Sequence, residues 1–161
     1  NGKEKTTAAL GFAMRAAGVG FKVFIGQFVK GMDYSELKSF AKLSDCITLK
    51  QFGTDSFIVG SPDKRDISAA KNGMDEIKAV VKSGDYRVVI LDEAGIAAYF
   101  GLCSVDEILE LIKTKPEHVE LVITGRYVDE KILQQADLVT EMCEVKHYYQ
   151  RGILGRIGIE S

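Results

Sequence analysis

Apolar residues along the chain fall in short blocks, and the blocks alternate between helical spacing and the compact runs of buried strands. Ala8 to Ala17 is helix-like and follows a polar, glycine-containing turn. Gly18-Val19-Gly20 stops it. Lys22 to Phe28 reads as a strand, and its apolar centre Val23-Phe24-Ile25 predicts burial on both faces, as in a parallel sheet. Tyr34 to Leu43 reads as a short helix and Cys46 to Phe52 as a second strand. The breakers Gly53, Gly60 and Pro62 predict a long loop over 53–63. Asp66 is expected to cap a helix reaching Lys82, with Ile67, Ala70, Met74, Ile77, Val80 and Val81 along one face. Tyr86 to Leu91 is a third strand, and Ser104 with Glu107 forms a capping box for a helix to Lys113. Val119–Ile123 reads as a fourth strand, Val128–Gln135 as a short helix and Leu138–Cys143 as a fifth strand. The tail from Tyr149 to Ser161 reads as a loop or short terminal strand. Strand and helix in alternation predict an α/β domain over residues 1–161, with a mainly parallel sheet flanked by helices. Chemistry in such sheets gathers at the carboxyl ends of strands, here Gln27 to Lys30, Asp92-Glu93, Thr124 to Arg126 and Lys146-His147.

Composition narrows the partners. The 161 residues are 46% hydrophobic with a net charge of −2, mean hydropathy is +0.01 and the pI is near 5.8. No overall charge draws the chain to nucleic acid or to an anionic membrane. Cys46, Cys103 and Cys143 lie far apart without a Cys-x-x-Cys pair, as expected of reduced, buried thiols in a cytoplasmic protein. No apolar run approaches membrane-spanning length, and no signal peptide is visible.

Two stretches carry candidate chemistry. Asn1-Gly2-Lys3-Glu4-Lys5-Thr6-Thr7 runs straight into a helix, an arrangement that turns backbone N–H groups and an ammonium toward phosphates. A buried strand is expected to feed such a loop from upstream of Asn1. Lys5 would meet the terminal phosphates and Thr6 would place its hydroxyl on Mg²⁺; Lys3 adds a second cation. The same residues also read as a charged helix start. The third strand ends in Asp92-Glu93, two oxygen donors on a rigid support, suited to a nucleotide-bound Mg²⁺. A solvated turn is the alternative. Arg126 suits a phosphate or ribose grip or a surface ion pair, His147 a substrate contact or a packed ring, and Tyr148-Tyr149 a stacking platform or a closed sheet edge.

The order of these pieces resembles the ATP:corrinoid adenosyltransferases of the phosphate-loop type. The resemblance rests on Asn1-Gly2-Lys3-x-Lys5-Thr6-Thr7-Ala8-Ala9-Leu10-Gly11, Gln27-Phe28-Val29-Lys30-Gly31, Val89 to Glu93, Thr124-Gly125-Arg126, Ala136 to Met142 and Val145-Lys146-His147. It implies a three-layer, RecA-like phosphate-loop NTPase fold. It also implies transfer of the 5′-deoxyadenosyl group of MgATP to the Co(I) form of cobalamin or a precursor corrinoid, with release of triphosphate. By the same resemblance, Asn1 to Thr7 and Arg126 bind the nucleotide, Lys5, Thr6 and Glu93 carry catalysis, and Thr6, Asp92 and Glu93 hold the metal. Phe57, Val59, Lys146 and His147 are the implied corrinoid contacts. A homodimer and a reductant protein such as a flavodoxin are the implied partners.

Two departures stand out. Glu4 occupies the family's glycine position, and Phe57-Ile58-Val59-Gly60 replaces an aromatic-rich Phe-Thr-Trp-Glu segment in a chain without tryptophan. They motivate a second reading, a relative that binds nucleotide or corrinoid without turnover. A third is another phosphate-loop NTPase or small-molecule kinase.

Overall fold

The computed structural model describes residues 1–55, 58 and 60–159. Four strands, β1 (Val23–Phe28), β2 (Ile47–Phe52), β3 (Val88–Asp92) and β4 (Glu120–Ile123), form one sheet in the order β2-β1-β3-β4. Every pairing is parallel. The helices are α1 (Lys5–Ala17), α2 (Ser35–Ala41), α3 (Lys64–Ser83), α4 (Ala94–Tyr99), α5 (Val105–Thr114) and α6 (Glu130–Gln135). The expected α/β architecture is therefore present, and its sheet is wholly parallel.

Strand parity explains the layers. Side chains alternate across a sheet, so Val23 and Ile25 of β1 and Val88 and Ile90 of β3 share one face. There they pack with Ala9, Ala13 and Ala16 of α1 and Phe40 of α2. Phe24, Phe28, Val89 and Leu91 take the other face, with Ala70, Met74, Ile77 and Val81 of α3 and Ile108 and Leu111 of α5. Small residues set the close approach of α3 to the sheet. A Cβ on Gly73 would fall 2.3 Å from the Phe52 ring, and one on Gly26 would fall 2.9 Å from Ile77.

Several boundaries differ from expectation. The first helix begins at Lys5 rather than Ala8, because the loop turns into it at Glu4. Asp63, not Asp66, caps α3. Its side chain accepts from the N–H groups of Arg65 and Asp66, while the Asp66 side chain accepts from the Asp63 N–H. Both acids were available; the capping box uses them as a pair. Helix α4 was not expected, since its glycine and short length leave little local signal. The fifth strand expected at Leu138–Cys143 is not formed, and the segment runs without ladder bonds. Leu138 and Val139 are exposed, and among the described residues no strand pairs with them. The tail contains a 3₁₀ turn at Tyr148–Arg151 rather than a strand.

Candidate active site

Parity that places valine and isoleucine against α1 also fixes the next positions along. Gln27 follows Val23 and Ile25, Asp92 follows Val88 and Ile90, and the two are register partners. Both are fully buried polar residues at the carboxyl edge of the sheet. There they meet the N-terminus of α1.

Asp92 is the hub. Its Oδ1 accepts from the Thr6 hydroxyl at 2.9 Å and from the Thr124 hydroxyl at 2.7 Å. Its Oδ2 accepts from Gln27 Nε2 at 3.1 Å and from the Lys30 ammonium at 2.9 Å. Thr124 in turn accepts from the Glu93 N–H at 3.0 Å, which ties the end of β4 to the end of β3. Four donors from α1, β1 and the loops after β1 and β4 thus satisfy a carboxylate that burial would otherwise penalise heavily. Lys30 Nζ also lies 3.2 Å from Thr6 Oγ1, so one ammonium bridges the hydroxyl and the carboxylate.

Around this hub lies the turn of 1–7. Glu4 adopts φ 73° at the N-cap of α1. Its side chain is 55% exposed, and the carboxylate sits 3.7 Å from the Lys3 ammonium. The acid that replaces the family's glycine therefore turns outward. Helix geometry leaves the N–H groups of Lys5, Thr6 and Thr7 without an intrahelical partner, and no acidic side chain occupies the first turn. Lys5 Nζ donates to the Gly2 carbonyl at 2.6 Å, folded back across its own loop. Burial, and next Asp92, push the Glu93 carboxyl above the usual carboxylate range; burial lowers the Lys5 ammonium, against the pull of Glu93.

The predicted residues divide cleanly. Lys5, Thr6, Asp92 and Glu93 converge. Arg126 is exposed, yet close enough for its charge to act on both Lys5 and Glu93. Asn1 and Gly2 are held by the Met142 carbonyl, with the Gly2 N–H at 2.7 Å, and Thr7 is exposed on α1. Lys3 donates to the Tyr148 hydroxyl at 3.0 Å, which brings the tail beside the loop. His147 Nδ1 accepts from the Tyr149 N–H and so serves first as a turn cap, while Lys146 is exposed. Phe57 and Val59 lie outside the described residues.

The sequence places Gln27, Lys30 and Thr124 at the carboxyl ends of strands without giving them a role, and Tyr148 reads only as a stacking platform or a closed sheet edge. A glutamine inside an otherwise apolar strand was the available signal for Gln27.

The donor set at the hub is made of oxygen and suits a hard cation. Among the described residues no group of three His, Cys, Asp or Glu is gathered. A Mg²⁺ ion here would accordingly complete its shell from phosphate oxygens and water, as Mg²⁺ at nucleotide sites ordinarily does. The ammonium already seated on Thr6 and Asp92 shows that these oxygens accept a cation. The residues present fit the metal.

A family model described as ATP:corrinoid adenosyltransferase BtuR/CobO/CobP matches residues 1–161. A corrinoid adenosyltransferase of Pseudomonas aeruginosa is 33% identical over 162 residues, covering 99% of this chain and 79% of that protein. One from a Sinorhizobium species is 32% identical over 163 residues, covering 99% and 76%. The corrinoid adenosyltransferase of Escherichia coli K12 is 29% identical over 160 residues, covering 99% and 81%.

Proposed function

The chain belongs to the ATP:corrinoid adenosyltransferase family, and from that membership we propose that it transfers the 5′-deoxyadenosyl group of ATP to the Co(I) centre of a reduced corrinoid. The cobalt electron pair forms the bond to C5′, the C5′–O bond breaks, and triphosphate leaves with its electrons. Co(I) is a nucleophile strong enough to need no side-chain base. The protein's work is then to orient the two substrates and to stabilise charge on the departing triphosphate.

The observation that carries this reading is the meeting of Thr6, at the N-terminus of α1, with Asp92, at the carboxyl end of β3, 2.9 Å apart. Phosphates bound by the N–H groups of Lys5 to Thr7 would lie against that pair. Lys5 exchanges the Gly2 carbonyl for a phosphate oxygen, and Arg126 adds a second cation from the loop after β4. Thr6 and Glu93 would hold Mg²⁺, which when bound neutralises part of the triphosphate charge. Asp92, already saturated by four donors, fixes the Thr6 hydroxyl and acts from behind it. Asn1 to Glu4 complete the phosphate turn through their backbone. Lys146 and His147, beside Tyr148 and the Lys3 end of the loop, are the proposed corrinoid contacts, together with Phe57 and Val59.

Anaerobic mixing of protein, MgATP and cob(I)alamin tests this. The expected result is the absorption spectrum of the adenosylated corrinoid, with Lys5→Ala lowering kcat/KM by about 100-fold or more. A folded protein that binds MgATP in a calorimeter and yields no product would instead support the non-catalytic reading. ADP formed without corrinoid would support an NTPase.

A further inference from the structure

We infer that Lys30 is a built-in counterion: its ammonium occupies the metal's place in the nucleotide-free protein and leaves when the metal arrives with nucleotide. The inference rests on the metal site proposed above, in which Thr6 is a ligand and Asp92 stands directly behind it, and it adds a residue to which no role has been given.

Asp92 is completely buried, and Lys30 is its ion-pair partner among the described residues, at 2.9 Å. The same Nζ lies 3.2 Å from Thr6 Oγ1. One ammonium therefore sits on both oxygens, and a divalent cation cannot join it there without strong repulsion at short range. The lysine side chain is only 14% exposed, so it is a fitted part of the site rather than a surface chain that strayed inward.

The backbone aims it. Val29, immediately before, has φ 58°, a conformation that a β-branched residue adopts only under constraint. The constraint is visible on the other side. A Cβ on Gly31 would fall 2.3 Å from the Thr54 carbonyl oxygen, and one on Gly53 would fall 2.4 Å from the Lys30 backbone nitrogen. The turn after β1 is thus pressed against the loop after β2, and the strained valine delivers Lys30 toward Asp92.

A second seat is ready. Lys30 Nζ is 4.0 Å from the Glu36 carboxylate and 5.4 Å from the centre of the Tyr34 ring. An ammonium displaced from Asp92 has that carboxylate, the ring face and the incoming phosphates to receive it. A metal ion arriving alone finds few protein ligands and must still evict the lysine. Arriving with triphosphate, it brings its own remaining ligands and an anionic partner for the lysine. Lys30 therefore makes metal binding depend on nucleotide.

The test uses Mn²⁺ as the probe, followed by electron paramagnetic resonance, with thermal unfolding as a second readout. Wild-type protein is expected to bind Mn²⁺ at least tenfold more weakly without ATP than with it. Lys30→Met is expected to melt about 10 °C lower in chelator, since it leaves a buried carboxylate unpaired. In nucleotide-free buffer it should bind Mn²⁺ at least tenfold more tightly than wild type and regain melting temperature with Mg²⁺. Adding Asp92→Asn to Lys30→Met should restore stability in chelator and remove the response to metal. Equal Mn²⁺ affinity of wild type with and without ATP overturns the inference, and this measurement stands even if Lys30→Met does not fold. A Lys30→Met protein that melts like wild type in chelator also overturns it. If wild type binds no Mn²⁺ even with ATP, the metal role itself fails; if it does and the variant shows no change, only the lysine's role fails.

Discussion

Glu4 decides whether the turn of 1–7 can receive phosphates, and two physical effects on it separate. Its side chain leaves the turn and pairs with Lys3 3.7 Å away, so the carboxylate does not face the N–H groups of Lys5 to Thr7. Its backbone, at φ 73°, sits where glycine is at ease and other residues pay roughly 1–2 kcal/mol. Glu4→Gly removes that strain at the cost of about 0.5–1 kcal/mol of added chain entropy. The variant is expected to be more stable by roughly 0.5–1 kcal/mol in urea unfolding. Its MgATP affinity by calorimetry should stay within about threefold of wild type, a difference under 1 kcal/mol. A tightening of tenfold or more would mean that the carboxylate faces the phosphates. A residue's identity was plain from the chain, whereas the direction of its side chain depended on a backbone angle that no local pattern reveals.

Helices α3 and α5 carry the same device at their starts, a reciprocal capping box, and both make stability depend on acid. The Asp66 backbone N–H, foremost, holds the Asp63 carboxyl below its usual range. Glu107 is held down first by the Lys78 ammonium at 2.6 Å and next by the Ser104 N–H. Groups depressed in the folded state contribute stability that is complete above the ordinary carboxylate values, 3.8 for Asp63 and 4.5 for Glu107, and that is lost as pH falls through their folded values. Glu93 works in the opposite sense: raised by burial, its ionised form costs stability that returns as pH falls through its folded value. Glu107→Gln should therefore lower the urea midpoint near neutral pH and flatten its fall below pH 4.5; an unchanged slope would contradict the Lys78 pairing. Ser104→Ala, which removes only the cap, should cost about 1 kcal/mol in the same unfolding experiment. The box on α5 was legible because it is local, three residues apart. The strand expected at Leu138–Cys143 is not formed for the converse reason: an apolar run becomes a strand only beside a partner distant in sequence, and among the described residues none pairs with it.

Across the whole molecule the sheet does the positioning, because parity sends Gln27 and Asp92 to the α1 face while the other face is built for α3. The second half of that arrangement depends on Gly73. An alanine there would place Cβ 2.3 Å from Phe52, and overpacking of this kind costs about 1–3 kcal/mol, offset in part by the better helix propensity of alanine. Gly73→Ala should lower unfolding stability by about 1–2 kcal/mol; a stabilised variant would show that α3 lies farther from the sheet. The α/β class and the strand-borne acids were readable from the sequence, since buried parallel strands announce themselves in runs such as Val88 to Leu91. Lys30 and Thr124 were legible only as strand-end residues; their contacts with Asp92 were not, because those exist only where three strand ends converge. In the proposed reaction this converged edge holds ATP for attack at C5′ rather than at a phosphate. Phosphorus NMR of the anaerobic reaction with cob(I)alamin tests it most directly. Intact triphosphate and adenosylated corrinoid in equal amounts are expected; ADP with phosphate or with a phosphorylated product, and no adenosylated corrinoid, would contradict attack at C5′.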